Sequence, residues 1–243
     1  MSAAPLLLLS CGGYRSGSTY LYNLAGEYVE RANAGRRIGY LEPSQVPLLE
    51  QVWSMIEALG VAVAKSHNSP GTAAGADCWT NLLDSASTTV VPVCTVRDFR
   101  DVLYSFSRMF EVEPEEALRS RRWQINLDNL RWWLAAGAQR LDYVDLVRSP
   151  HTVLDGVRVR LGLSIDPDTT ADAVVAASAT TSVATSASTS ARAGAARIDS
   201  RTLLHTGHLA DPEGGGWRRW PSDRLTALRP QLEPVLEEFG YAW

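Results

Sequence analysis

The stretch "CGGYRSGST", residues 11–19, decides how this chain is read. It follows the apolar run "PLLLL" at residues 5–9, short and ended by glycines, as a fully buried strand is. Gly12 and Gly17 stand at the G-x-x-x-x-G spacing of a phosphate-binding loop, and Thr19 stands where such a loop has its hydroxyl. The place of the phosphate-gripping lysine, however, holds Ser18. The nearest cation is Arg15, three residues earlier and inside the loop. The first N–H groups of the helix from residue 17, with its positive end, make an anion seat that needs no metal. Its side-chain charge is displaced.

Outward from the loop the chain alternates between strand and helix patterns. A helix is expected over residues 17–32, then a weaker strand "RIGYLEP" ended by Pro43. Ser44 can cap the next helix, in which Val46, Leu49, Val52, Trp53, Ile56 and Leu59 recur at helical spacing. "VAVAKSH" and "TTVVPVCTV" read as further strands, and Pro92 in the second suggests an edge position or a bulge. Asp98 can cap a helix to about residue 110, with Asp101 three residues on. A long helical region is expected over 113–141, then a short strand "LDYVDLV" and a helix ending near "LGL". Residues 169–196 are nearly all Ala, Ser, Thr and Val, which fits a disordered linker or a small-residue helix packed on the body. A Gly-rich segment, "HTGHLADPEGGGWRRW", precedes a last helix over about 222–239. The alternation predicts a three-layer α/β/α fold with a central parallel sheet, in one domain over residues 1–243.

Composition narrows the function. The 243 residues carry a net charge of −4, which argues against a nucleic-acid binder or a polybasic membrane protein. Anions must then be held by a few placed arginines and backbone amides. Cys11, Cys78 and Cys94 are too few and too scattered for a disulfide framework or a zinc site, which points to a reduced, cytoplasmic setting. "LLLLSC" resembles the end of a lipoprotein signal but lacks a preceding basic residue and is about half the usual length. No stretch approaches the ~20 apolar residues of a membrane span.

In open α/β sheets ligands bind beyond the carboxyl ends of the strands. Three polar clusters are expected there: "GGYRSGST", then "KSH" at residues 65–67, then "VRDFRDVLYSF" with Arg97 at a strand end and Ser105 two helical turns on. With these residues in order, the chain resembles the sulfotransferases that use 3′-phosphoadenosine 5′-phosphosulfate (PAPS). Their loop reads roughly [KR]-S-G-[TS]-T, matched by Arg15, Ser16, Gly17, Ser18 and Thr19. Their 3′-phosphate motif has an arginine ending a strand and a serine eight residues along, as Arg97 and Ser105 do here. Many cytosolic members carry K-T-H-x-x-P, close to "KSHNSP"; "YVDL", "LGL" and "GGGWRR" also have counterparts.

The resemblance implies a P-loop-like sulfotransferase fold and transfer of a sulfuryl group from PAPS to a hydroxyl or amine, without a metal. It implies that Arg15 and the loop hold the 5′-phosphosulfate, with Arg15 acting where charge builds as the S–O bond breaks. It also implies that His67 is a general base with a pKa near working pH and that Lys65 contacts the sulfuryl group or substrate. Tyr20 stands where many members have a tryptophan that packs on the adenine. Family members place Arg-Lys-Gly before the late loop, whereas this chain has no cation there. Gly216, Trp217 and Arg218 match the loop itself, and Arg201, Arg218 or Arg219 is left to reach the 3′-phosphate.

Other readings of these residues stay open. Arg97 can pair with Asp98 or Asp101, and Lys65 can be a solvated lysine. One of Trp132 and Trp133 is expected in the core. His205 and His208 have no third ligand at zinc-like spacing. The acceptor, a small molecule, glycan or lipid, is expected near 40–47, 68–82 and 110–125, where Trp79, Met109, Phe110 and Trp123 offer apolar surface. Alternatives are a small-molecule or nucleoside kinase of the same fold, disfavoured by Ser18, and a non-catalytic nucleotide-binding protein.

Overall fold

A computed structural model describes residues 5–41, 49–68, 83, 89–163, 167–188, 199–204 and 214–243. Five strands, β1 (Leu6–Gly12), β2 (Gly35–Tyr40), β3 (Val61–Lys65), β4 (Thr89–Val96) and β5 (Gln139–Asp142), form one sheet in the order β2-β3-β1-β4-β5. Every pairing is parallel. β1 lies at the centre and is buried along its whole length, which accounts for its unbroken apolar run. The strand order departs in both directions from β1, so the switch point that gathers ligands in such sheets lies at its carboxyl end. That end is Gly12.

The two-residue period of the strands divides the core into two layers. Leu7, Leu9 and Cys11 face one layer, covered by α2 (Leu49–Leu59), α3 (Phe99–Phe110), α4 (Pro114–Arg119), α5 (Arg121–Ala135) and α9 (Ser222–Glu238). Leu6 and Leu8 face the other, covered by α1 (Ser18–Arg31), α7 (Pro150–Arg160) and α8 (Pro167–Ser188). Trp123 and Trp133 are fully buried in the first layer, so Trp123 is core rather than acceptor surface, and Trp132 packs at its margin.

Pro92 stands at a locally unpaired edge, as its sequence suggests, although β4 as a whole lies between β1 and β5, and its pairing with β1 runs through without a bulge. The proline is tolerated because β5 pairs only from Val93 onward, so the missing N–H falls where β4 has a single neighbour. Among the described residues the register is irregular in β2, between Arg37 and Gly39. The segment "LDYVDLV" is strand only to Asp142; Tyr143–Arg148 forms the short helix α6. The helical region over 113–141 is split at Ser120, whose hydroxyl accepts from the Trp123 N–H at 3.1 Å and starts α5 as an N-cap.

The small-residue reading holds over α8. Ala173, Val174 and Ala177 are buried against α1, where short side chains allow close approach, and the Tyr20 hydroxyl lies 3.2 Å from Ser178 Oγ. Residues 189–196, Pro43, Ser44, Val46, Cys78, Trp79, His205 and His208 lie outside the described residues.

Candidate active site

Tight packing makes the loop after β1 glycine-dependent. Gly17 has φ 101°, and a Cβ there would meet Tyr143 at 2.5 Å. Gly12 has φ 134°, and a Cβ would meet the Thr95 carbonyl at 2.7 Å. Between them Arg15 also adopts a left-handed φ of 66°, a cost of about 1–2 kcal/mol that the surroundings must hold in place. Three anchors do so. Ser16 Oγ donates to the Gly13 carbonyl at 2.7 Å, which leaves it to accept from the Thr95 hydroxyl at 2.8 Å. Ser10 Oγ donates to the Ser18 carbonyl at 2.7 Å. From α5, the Asn126 amide oxygen accepts the Tyr14 N–H.

The structure brings the first two polar clusters together. Lys65, at the end of β3, donates from Nζ to Thr19 Oγ1 at 2.5 Å. His67, two residues on, lies under the loop, with Nδ1 2.8 Å from the Gly12 carbonyl. A carbonyl only accepts, so Nδ1 carries the proton and Nε2 presents its lone pair. The backbone N–H of His67 donates to the Tyr40 hydroxyl at 3.1 Å, and the imidazole has the Tyr14 ring 4.6 Å away and the Tyr40 ring 6.0 Å away.

The third cluster joins from β4 and α3. Ser105 Oγ accepts from Arg15 Nε at 2.7 Å. Met109, one turn on, approaches Arg15 with its sulfur. The Arg97 guanidinium lies over the Tyr143 ring at 4.2 Å. Asp98 caps α3 and pairs with Arg100 at 2.6 Å. Asp101 faces the late loop, its Oδ1 accepting N–H groups from Gly215 at 2.6 Å and Gly216 at 3.0 Å. Trp217 stacks beneath the Arg100 guanidinium at 4.3 Å, with Arg218 5.0 Å from the same ring.

Arg201 is not brought to this cluster. Its backbone runs beside Tyr22 and Asn23, but its guanidinium pairs with Glu30 at 2.8 Å, twelve residues and about 18 Å along α1 from Ser18.

Charges across the site act on one another in a row. Burial and then the charge of Arg97 lower the Arg15 guanidinium to about 10. Burial and then Arg15 lower the Lys65 ammonium to about 7. Burial, then Lys65, with a smaller contribution from Arg15, push His67 down to about 3. The expectation of a histidine poised near working pH is therefore corrected: His67 is neutral throughout the neutral range. Each group carries the repulsion of the next, and a bound anion would relieve all of them. A glycine cradle with three converging cations fits a phosphate or phosphosulfate group. Among the described residues, no group of three or more His, Cys, Asp or Glu is placed to hold a metal ion.

Sequence reasoning missed Thr95, Asn126, Tyr14, Tyr40 and the loop contact of Asp101. Asn126 had a legible signal, a polar residue at helical spacing among Trp123, Leu127, Leu130 and Trp133 on the buried face of α5. The others are packing contacts between segments far apart in the chain.

The parallel α/β sheet with a glycine loop after its central strand has the fold of solved sulfotransferase structures. The chain is similar to retinol dehydratase in complex with androsterone and the inactive cofactor PAP, with a TM-score of 0.59 and 14% identity, over 97% of this chain and 82% of that one. It is similar to mouse sulfotransferase SULT7A1 complexed with PAP, with a TM-score of 0.59 and 12% identity, over 95% of this chain and 84% of that one. It is also similar to the sulfotransferase domain of the Synechococcus PCC 7002 olefin synthase, with a TM-score of 0.58 and 18% identity, over 100% and 97% of the two chains. No family model and no curated protein sequence matches the chain.

Proposed function

We propose that the protein transfers a sulfuryl group from PAPS to a hydroxyl or amine of a small-molecule, glycan or lipid acceptor. The observation that carries this reading is the buried row of Arg97, Arg15, Lys65 and His67 around a glycine cradle, in which burial first and then a neighbouring charge depress Arg15, Lys65 and His67. The two similar proteins that hold PAP, adenosine 3′,5′-bisphosphate, support that nucleotide as the product.

Bound PAPS would supply a sulfuryl group on a phosphate leaving group; the remaining work falls to the chain. The amides of Ser16, Gly17, Ser18 and Thr19, with the hydroxyls of Ser18 and Thr19, hold the 5′-phosphate at the start of α1. Arg15 and Lys65 neutralise the charge that develops on the bridging oxygen as its bond to sulfur breaks. His67 Nε2 accepts the acceptor's proton as the new bond to sulfur forms, and the Gly12 carbonyl fixes the tautomer that leaves that nitrogen free. Arg97 and Ser105 take the 3′-phosphate with Gly216, Trp217 and Arg218, and Tyr20 offers an aromatic face to the adenine. Arg201 would contribute only by leaving Glu30.

The test is transfer of label from ³⁵S-PAPS to a panel of phenols, alcohols, amines, glycans and lipids. Labelled acceptor with equimolar PAP is the expected result. PAP-tight protein that labels no acceptor class would instead favour the non-catalytic reading.

A further inference from the structure

Residues 214–216 of the late loop are tied down by the Asp101 carboxylate, which stands outside the sulfuryl-transfer chemistry. Asp101 stands in the first turn of α3, four residues after Arg97, and is buried. One of its oxygens takes the N–H groups of both Gly215 and Gly216. Its second oxygen lies so close to Gly214 that a Cβ there would be 2.8 Å away, and that same Cβ would lie 3.8 Å from Arg97 Nη2. Gly214 and Gly215 both adopt left-handed φ angles, 81° and 83°, so the chain turns tightly around the carboxylate. The turn then delivers Trp217 beneath Arg100 and leads into Arg218 and Arg219.

We propose that Asp101 is a positioning residue for the nucleotide: it seats residues 214–218 beside Arg97, so that recognition of the 3′-phosphate depends on it although it does not touch the phosphate. This rests on the PAPS reading above. The argument is geometric. Two amides converging on one oxygen fix both the position and the direction of the turn, and bonds to a charged acceptor are the stronger kind. A carboxylate facing a phosphate site would otherwise repel the ligand. Burial, the largest effect, raises the Asp101 carboxyl above its ordinary value with help from Asp98, while the charge of Arg97 and the two amides act in the other direction and favour its ionised form.

The experiment compares Asp101→Ala, Asp101→Asn and wild-type protein in two assays. The first is equilibrium binding of PAP and of AMP, which lacks the 3′-phosphate. Wild type should prefer PAP. Asp101→Ala should lose about 10-fold or more of that preference, with AMP affinity unchanged, while Asp101→Asn, which keeps an acceptor oxygen, should retain most of it. The second assay is limited trypsin cleavage after Arg218 and Arg219, which needs no ligand. Cleavage should be faster in Asp101→Ala and near wild type in Asp101→Asn. If Asp101→Ala does not fold, Asp101→Ser, too short to span both amides, replaces it with the same expectations. An unchanged PAP preference in a folded Asp101→Ala or Asp101→Ser protein overturns the proposal, as does unchanged cleavage. Wild-type protein that does not distinguish PAP from AMP overturns the cofactor reading instead, and with it the 3′-phosphate role; faster cleavage in Asp101→Ala would then leave only the loop seat standing.

Discussion

Lys65 gives the site a pH dependence opposite to the one a histidine base suggests. Burial and the charge of Arg15 bring its ammonium down to about 7, so it loses its proton just above neutrality in the free protein. A bound phosphate favours the charged form, so binding above pH 7 must take up a proton. The affinity for PAP should therefore fall about 10-fold per pH unit above 7, as far as the worth of the ion pair allows. A pair about 4 Å apart at an effective dielectric of about 20 is worth about 4 kcal/mol, which sets a ceiling near 10³-fold. The perturbation is Lys65→Met, similar in length but uncharged. Titration calorimetry with PAP from pH 6 to pH 9, in two buffers of different ionisation enthalpy, reads both affinity and proton uptake. The phosphates of PAP titrate near pH 6 themselves, and Lys65→Met reports that contribution alone. Wild type should weaken steeply above pH 7 and take up close to one proton, and the variant should do neither. Equal affinity at pH 7 and pH 9 in wild type, with no proton uptake, would refute the placement of a charged Lys65 against the phosphate.

Three further outcomes follow from the same geometry. His67→Ala should keep PAP affinity but lose about 10²–10⁴-fold in turnover of an alkyl alcohol. Because His67 is already neutral from about pH 3 upward, kcat/KM should show no rising limb between pH 5 and pH 8 in initial-rate measurements. Gly17→Ala forces a Cβ against Tyr143 at a left-handed φ, and should cost about 1–3 kcal/mol in urea unfolding together with most nucleotide binding. Arg37, almost wholly buried, pairs with Glu27 at 2.6 Å and Glu30 at 2.7 Å and donates to Asn23; Arg37→Ala should cost about 2–4 kcal/mol by urea unfolding. Glu30 is held at about 2, its burial outweighed by bonds from Arg37 and Arg201. Its contribution to stability is therefore full above its ordinary range and lost as pH falls through 2, and this acid limb should shrink in the Arg37 variant.

Local pattern carried the architecture far because most elements are short and strongly marked. The apolar β1, the glycine loop and the Asp98 cap each declare themselves within a few residues, and parallel strands separated by helices leave few sheet arrangements. Where reading failed, the deciding contact was distant. Pro92 marked a local edge correctly, but its sequence does not reveal that β5 takes up pairing from Val93 onward. Tyr143 looked like strand because "LDYVDLV" is apolar and short, although it begins a helix that packs on Gly17. Arg15, Lys65, His67, Arg97 and Ser105, which the fold gathers at one end of the sheet, were legible by type and order, but their electrostatics were not. His67 read alone suggests an ordinary imidazole; only the fold places Lys65 and Arg15 against it and removes water. Arg201 read alone suggests a free cation, and the fold gives it to Glu30.

The most direct test is a side-by-side measurement of thermal stabilisation by PAP and by ATP with magnesium. A loop with Ser18 in the lysine position and its cations at Arg15, Lys65 and Arg97 should raise the melting temperature by several degrees with PAP at 100 times its Kd, since that occupancy stabilises by about 2.7 kcal/mol. ATP with magnesium at the same concentration should give little or no shift. A larger shift with ATP and magnesium than with PAP would contradict the sulfotransferase reading and favour a kinase.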